Sequence, residues 1–435
     1  MRAAAVIGSG KRETNMAETT TVGKIFERLL GPNAEVSITA YDGSRSGPAD
    51  APVSIQVRSP LALTYLLSSP GDLGLARAYV AGALDVDGDL YSALRALVAQ
   101  VDQLSPADRV WLLRKLGPTH LRRVAPPAEE LPSRLKRTVD GLRHSKARDS
   151  NAISNHYDVS NRFYELVLGP SMAYTCAAYP SDVSSLEEAQ AHKFDLVCRK
   201  LGLRPGMRLL DVGCGWGGMV EHAVAHYGVE ALGVTLSREQ AQWAQKDIVT
   251  KGLADRAEVR HLDYRDVTET GFDAVSSIGL TEHIGARNLP SYFRFLAGKL
   301  KPHGRMLNHC ITNPDTSVAH RSRGFIDRYV FPDGELESVG EIATAMHDSG
   351  LEVRHSENLR EHYATTLGAW CANLDANWDE AVAEAGAGRS RVWALYMAAC
   401  RLAFERREIE LHQVLGVKVG EDGDAAMPLR PDWGV

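Results

Sequence analysis

The stretch that most constrains this chain is Leu209-Leu210-Asp211-Val212-Gly213-Cys214-Gly215-Trp216-Gly217-Gly218. An apolar strand ends in an acid and runs directly into a glycine turn that opens a helix. Glycine lets backbone approach a ligand where a side chain would collide, and the helix start aims N–H groups at the ligand's polar end. Methyltransferases hold S-adenosylmethionine (SAM) in such a turn, but dinucleotide-binding folds and plain tight turns use it too. The surroundings must decide.

From about residue 149 the pattern alternates strand and helix. The candidate strands are Arg208–Val212, Ala231–Thr235, Ala257–Leu262, Phe272–Ile278 and Met306–Ile311, with helices such as Met219–Tyr227 and Arg238–Thr250 between them. Alternation of this kind predicts an α/β fold with an open, mostly parallel sheet covered on both faces, and ligands beyond the strand carboxyl ends. A chain of 435 residues leaves room for more than one unit. Residues 21–105 read as a small α+β domain, with Val36, Ile38, Ala40 and then Val53, Ile55, Val57 alternating as two strands. Helical segments follow at Leu61–Leu67, Leu73–Val80 and Tyr91–Val101. Residues 1–20 and 417–435 read as a flexible N-terminus and a flexible tail.

Residues 106–148 form a basic linker: between Arg109 and Arg148 eleven Lys or Arg face three acids, a local charge of +8 in a chain whose net charge is −6. A solvated linker and a patch attracted to anionic lipid headgroups are both open readings. The acidic balance argues against a nucleic-acid binder. Six cysteines without a CxxC pair read as reduced thiols. No stretch approaches the roughly 20 apolar residues that span a bilayer.

Candidate site residues follow the strand ends. The second strand ends in Thr235-Leu236, with Gln240 on the next helix, where dinucleotide enzymes place an acid for the ribose. Thr235 therefore disfavours a nicotinamide dehydrogenase. Asp263 beside Tyr264 and Arg265 suits adenine, which offers an exocyclic amine and a flat face; an ordinary charged loop is the alternative. Glu282 follows the fourth strand at the place facing a transfer centre, or serves only as a helix-cap acid. His309 lies in the fifth strand, where a lone histidine is commonly a satisfied core residue. His222 and His226 are four apart on a helix but have no third ligand in the pattern, so no metal site is assigned.

Taken together, the chain resembles the cyclopropane-fatty-acyl-phospholipid synthase family of SAM-dependent lipid methyltransferases, which includes the mycolic acid cyclopropane synthases. The resemblance covers about Ser154 to Gly416. It rests on Asn155-His156-Tyr157-Asp158-Val159-Ser160-Asn161, Met172-Ala173-Tyr174-Thr175-Cys176, the glycine turn and Gly233-Val234-Thr235-Leu236-Ser237. Leu262-Asp263-Tyr264-Arg265-Asp266, Glu282-His283-Ile284-Gly285, Tyr329-Val330-Phe331-Pro332-Asp333-Gly334, His362-Tyr363-Ala364-Thr365-Thr366-Leu367 and Tyr396–Cys400 into Arg406–Ile409 continue it in family order.

The resemblance implies a class I methyltransferase sheet with a small N-terminal lipid-binding domain. It implies that SAM is held by Tyr174, Thr175, Gly213, Gly215, Thr235, Leu236, Gln240, Tyr264 and Arg265, to which the turn and strand-end pattern add Asp211, Gly217 and Asp263. It further implies a bicarbonate ion bound by Cys176, Glu282, His309, Ile311 and Tyr363, with Cys400 matching a cysteine proposed as catalytic. The implied substrate is an unsaturated phospholipid acyl chain, reached by a cytoplasmic homodimer at the inner, anionic membrane surface. Thr281, Cys310 and Ala177–Pro180 depart from the family pattern and are candidates for the acyl-channel wall.

The implied chemistry is attack of a cis alkene on the sulfonium methyl, followed by proton loss to bicarbonate and closure of a cyclopropane ring. Proton loss after a hydride shift would give a methylene branch instead. A small-molecule methyltransferase and a non-catalytic lipid-binding protein remain as readings of other classes.

Overall fold

The computed structural model describes residues 21–30, 35–69, 71–101, 124–131, 160–317, 324–332 and 334–434, with single positions at 107, 111 and 115. The expected N-terminal segment, most of the basic linker, Asn155–Val159 and Asp333 lie outside the described residues.

The first unit runs α1 (Val22–Leu30), β1 (Val36–Ala40), β2 (Arg45–Ser46), β3 (Val53–Val57), α2 (Pro60–Ser68), α3 (Asp72–Val80), β4 (Leu84–Asp87) and α4 (Leu90–Val101). Its sheet has the order β2-β1-β3-β4. The two alternating segments are strands, as expected; they pair with each other in parallel register, and their apolar members Val36, Ile38, Val53, Ile55 and Val57 are buried. α1, β2 and β4 go beyond the sequence reading: β2 and β4, with two and four residues, are too short for alternation to stand out, whereas α1 carries a helical apolar spacing at Val22, Ile25 and Phe26 that the reading passed over.

The second unit runs α5 (Asn161–Leu168), α6 (Leu186–Leu201), β5 (Arg208–Val212), α7 (Gly218–Tyr227), β6 (Glu230–Thr235), α8 (Arg238–Thr250), β7 (Ala257–His261) and β8 (Phe272–Ile278). It continues with α9 (Leu289–Lys299), β9 (Leu300–Thr312), α10 (Gly324–Tyr329), α11 (Val339–Asp348), β10 (Glu352–Asn358), α12 (Arg360–Ala376), α13 (Trp378–Ala385), α14 (Ala387–Glu405) and β11 (Glu410–Val417). A seven-stranded sheet in the order β10-β11-β9-β8-β5-β6-β7 forms its centre. β9, β8, β5, β6 and β7 are parallel neighbours, and β11 and β10 add two antiparallel strands.

Local chemistry sets the helix starts beside the sheet. Ser185 and Glu188 form a reciprocal capping box for α6, and the left-handed Gly202 ends it. Ser237 accepts from the Gln240 N–H and starts α8 immediately after β6.

Two features differ from expectation. β10 and β11 carry Glu352, His355, Glu357, Glu410, His412 and Gln413, so no apolar run announces them, although every residue of β11 is buried. The tail expected to be loose is docked instead. Val417 belongs to β11, Lys418 Nζ donates to the Ala297 and Leu300 carbonyls at 3.1 and 2.8 Å, and the Arg199 guanidinium donates to the Trp433 carbonyl at 2.5 Å. The Trp433 ring lies 4.3 Å from that of His355. Side-chain anchors, not a periodic pattern, hold this segment.

The two units share one apolar core, in which Tyr79 and Leu94 join Trp393 and Phe404. Glu130 fastens them together. Its carboxylate, fully buried, accepts from Arg77 of α3 at 2.6 and 2.7 Å, from Arg328 of α10 at 2.5 Å and from the Tyr329 hydroxyl at 3.1 Å. Removing one member of a buried ion pair costs about 3–5 kcal/mol, because the partner charge stays buried and uncompensated. E130A is therefore expected to lower the denaturant midpoint by that order. E380A, which removes the half-exposed partner of Arg162, leaves the midpoint unchanged.

Candidate active site

Two adjoining cavities open at the carboxyl ends of β5, β6, β8 and β9, the place where parallel sheets bind ligands. The smaller, about 80 Å³, is lined by Gly213, Gly215, Thr235, Leu236, Gln240, Tyr264 and Arg265 among others. The larger, about 310 Å³, is lined by Tyr174, Thr175, Cys176, Glu282, His309, Ile311, Tyr363 and Cys400 together with apolar side chains. Gly279 and His283 wall both, so the two spaces meet there.

The glycine turn makes the smaller cavity. Gly213 and Gly215 have φ of +72° and +54°, a region that disfavours side chains. A Cβ on Gly215 would meet nothing within 4 Å, so the concave side of the turn is open. Gly217 serves packing instead: its Cβ would come within 3.0 Å of the Ala244 Cβ, so only a bare backbone lets the turn sit tightly on α8. At the end of β6 the Thr235 hydroxyl donates to Gln240 Oε1 at 2.9 Å, fixing the amide on the cavity wall.

Of the twelve residues expected to hold the cofactor, seven line this smaller cavity, and Tyr174 and Thr175 line the larger one. Asp211, Gly217 and Asp263 line neither. Asp211 is buried under the turn, accepts from the Ser276 hydroxyl at 2.6 Å, and is pushed up to about 7 by burial. Asp263, expected beside adenine, accepts from Arg265 N–H, Nε and Nη2 at 2.9, 2.8 and 2.6 Å. Its carboxylate orients Arg265, and Arg265 reaches the cavity wall in its place.

All six residues expected to carry chemistry meet in the larger cavity. Glu282 sits on the 3₁₀ turn Thr281–His283 after β8, and its Oε1 accepts from the Ile311 N–H at 2.8 Å. Its Oε2 is buried without a hydrogen-bond partner among the described residues, and burial pushes the carboxyl up to about 7. His309 is buried with Nδ1 at 3.2 Å from Gln413 Nε2, while Nε2 has no hydrogen-bond partner among the described residues. Burial and the neighbouring Lys193 and Lys200 hold the imidazole well below its usual pKa, so it is neutral. Burial also raises the Cys176 thiol and pushes Cys400 up to about 12, so neither is a thiolate at neutral pH. Ile326, Phe331, Leu336, Tyr396, Ala399, Ala403, Ile409 and Leu411 complete an apolar wall. Tyr174 packs at 5.5 Å from Trp370 and 5.4 Å from Trp393, an aromatic bank beside the cavity.

Thr281, Cys310 and Ala177–Pro180, candidates for the channel wall, do not line it. The Thr281 hydroxyl donates to Asn308 Oδ1 at 2.7 Å, and Asn308 Nδ2 contacts Cys310 Sγ at 3.2 Å, behind the strand that carries His309. His222 and His226 lie with rings 4.4 Å apart on α7, and among the described residues no three His, Cys, Asp or Glu side chains converge as metal ligands.

Two buried lysines escaped the sequence reading. Lys193 donates to the Thr175 hydroxyl at 2.9 Å and is pushed down to about 7 by burial. Lys200 reaches Glu357 and, at 2.7 Å, Gln413 Oε1. Their spacing held the signal: they are seven apart on α6, on the stripe shared with Ala189, Phe194, Val197 and Leu201.

Residues 144–414 match the family model described as mycolic acid cyclopropane synthetase. A probable fatty acid methyltransferase of Mycobacterium tuberculosis is 55% identical over 404 residues, 92% of this chain and 94% of that protein. The cyclopropane-fatty-acyl-phospholipid synthase of Escherichia coli K12 is 34% identical, over 87% of this chain and 92% of its own. The solved mycolic acid cyclopropane synthase CmaA1, complexed with SAH and CTAB, superposes with a TM-score of 0.59 at 33% identity, covering 62% of this chain and 98% of that one.

The raised Glu282 carboxyl makes a stability prediction. Its folded pKa of about 7 exceeds the ordinary 4.5, so the folded state holds the proton more tightly than the unfolded chain. That advantage is complete below the unfolded value and is lost as pH rises through about 7, a swing of ~3 kcal/mol. Glu282→Gln cannot ionise. Between pH 4.5 and pH 8 the difference in unfolding free energy should move in the variant's favour by that order; a gap independent of pH would show an unshifted carboxyl.

Proposed function

The chain belongs to the mycolic acid cyclopropane synthetase family of SAM-dependent methyltransferases, and we propose that it transfers a methyl group from SAM to the cis double bond of an unsaturated phospholipid acyl chain, closing a cyclopropane ring. The observation that carries this reading is the meeting of an open glycine turn with an apolar cavity at Gly279 and His283. A sulfonium donor on the turn could present its methyl at that junction to an alkene lying among Phe331, Tyr396, Ile409 and Leu411. The phospholipid substrate is supported by coverage: the E. coli phospholipid synthase aligns with most of this chain, whereas CmaA1 aligns with a length close to that of the family match. We assign the first unit and the basic linker to lipid presentation.

Bound SAM supplies the electrophilic methyl. This chain's own residues supply orientation and dryness, and holding reactants in a near-attack arrangement is worth roughly 7–11 kcal/mol. Tyr174, with Trp370 and Trp393 behind it, offers aromatic faces to positive charge developing on the alkene carbons. A bicarbonate ion fits the polar end of the cavity, because Glu282 Oε2 and His309 Nε2 are buried polar atoms with no hydrogen-bond partner among the described residues. Glu282, His309 and Tyr363 would hold it and Cys176 would close its side; when bound, the ion supplies the base for the proton lost from the new methyl. The Ile311 N–H is already given to Glu282, so Ile311 contributes by fixing that carboxylate.

Purified protein incubated with methyl-labelled SAM and vesicles of dioleoyl phospholipid is expected to yield labelled acyl chains that have gained one CH₂ and lost the alkene. A labelled product that keeps an alkene would identify the methylene outcome, and an unlabelled lipid would overturn the proposal. Glu282→Gln should cut turnover by ~10²-fold or more while SAH affinity, read by calorimetry, stays within about twofold.

A further inference from the structure

The sheet register builds a polar row that ends at the cavity. Glu357 on β10 is directly opposite Gln413 on β11, and Gln413 is directly opposite His309 on β9. Residues directly opposed on antiparallel strands share a face, so the three side chains stand side by side. Lys200, at the end of α6, lies against this row with 1% of its side chain exposed. It donates to Glu357 Oε2 and to Gln413 Oε1 at 2.7 Å. The Trp433 ring, 5.8 Å from its nitrogen, covers it.

Donor and acceptor counting then fixes His309. An ammonium only donates, so the Gln413 oxygen faces Lys200 and the Gln413 NH₂ group faces Nδ1 of His309 at 3.2 Å. Nδ1 must accept, which places the ring proton on Nε2, the buried atom with no hydrogen-bond partner among the described residues. We infer that Lys200 and Gln413 are positioning residues that lock His309 as the Nε2–H tautomer, so that it presents a hydrogen-bond donor, and no base, to an oxyanion beside Glu282. The inference rests on the reading of this cavity as the reaction site. It divides the labour there: His309 binds and orients, and proton acceptance falls to the other groups.

The test reads the tautomer directly. In the full-length protein labelled with ¹⁵N-histidine, the His309 signals, identified by their loss in His309→Asn, should show a protonated Nε2 and a bare Nδ1. Gln413→Glu keeps a partner for Lys200 but offers His309 an acceptor, so the proton should move to Nδ1. Turnover on vesicles should then fall at least ~10-fold with the SAM KM within about twofold, as for partners that orient a ligating histidine. Lys200→Met frees the amide to rotate and should give a mixture of the two tautomers. A wild-type Nδ1–H, an unmoved proton in Gln413→Glu, or an inverted tautomer with unchanged turnover would each overturn the inference. The wild-type spectrum decides even where a variant does not fold, and it reads the tautomer whether or not the lipid is methylated.

Discussion

β9 lies between a parallel ladder to β8 and an antiparallel ladder to β11, and this double pairing sets the positions of His309 and Glu282, the two buried polar groups at the heart of the larger cavity. Side chains alternate along a strand, so His309 and Ile311 share the face that Cys310 leaves. A slip of one residue would exchange them and put Cys310 on the cavity. The same register brings the Ile311 N–H to Glu282 at 2.8 Å, and it lets the Gly279 N–H donate to the His309 carbonyl at 2.8 Å, pinning the turn after β8. Glu282 is thus held by backbone on both sides of the site, with one oxygen left for a ligand.

Much of the second unit is readable because its signals are local. Strand, acid and glycine turn follow one another at 209–218, and five parallel strands announce themselves by apolar runs. Glu282, His309, Cys176, Tyr363 and Cys400 come from distant parts of the chain, and only the family resemblance groups them before the structure does. What stays hidden is long-range and polar. β11 reads as a mixed segment because Glu410, His412 and Gln413 interrupt it, yet each is buried and partnered across strands or by Arg407. Lys193 and Lys200 look like surface residues of a helix, and Asp263 like a ligand, because sequence does not reveal which neighbour takes a charge. The tail misleads for the same reason: Trp433 and Lys418 anchor it from single positions.

On the proposed chemistry, attack by an alkene explains why so many of these charges are muted. Positive charge appearing on a hydrocarbon chain would be captured by an exposed nucleophile, so the cavity wall should be polarisable without being nucleophilic. Aromatic rings meet that need through their electron-rich faces. The thiols of Cys176 and Cys400 are kept protonated by burial, and the neutral His309 turns its Nε2–H toward the cavity while Gln413 occupies the lone pair on Nδ1. Glu282 is muted in the same way: burial raises its carboxyl to about 7, so it holds its proton more tightly than an exposed carboxyl does. Strongly shifted groups clustered in one cleft are what a reaction site of this kind demands.

The short helix α10 shows how the first unit bears on this chemistry. Its Ile326 lines the cavity, as does Phe331 just beyond it. Its other residues face the first unit: the Phe325 N–H donates to Asp72 of α3 at 2.9 Å, and Arg328 and Tyr329 close on Glu130, which also holds Arg77. A helix of six residues has too few internal hydrogen bonds to hold its own place. Its position is therefore set from outside, by the unit to which we assign lipid presentation. On that assignment, the unit that receives the lipid also fixes one wall of the proposed acyl cavity, and the glycine turn fixes the proposed donor site. Placement of the double bond against the methyl group then depends on the distance between two supports that belong to different units, which gives a physical reason for them to share one continuous core.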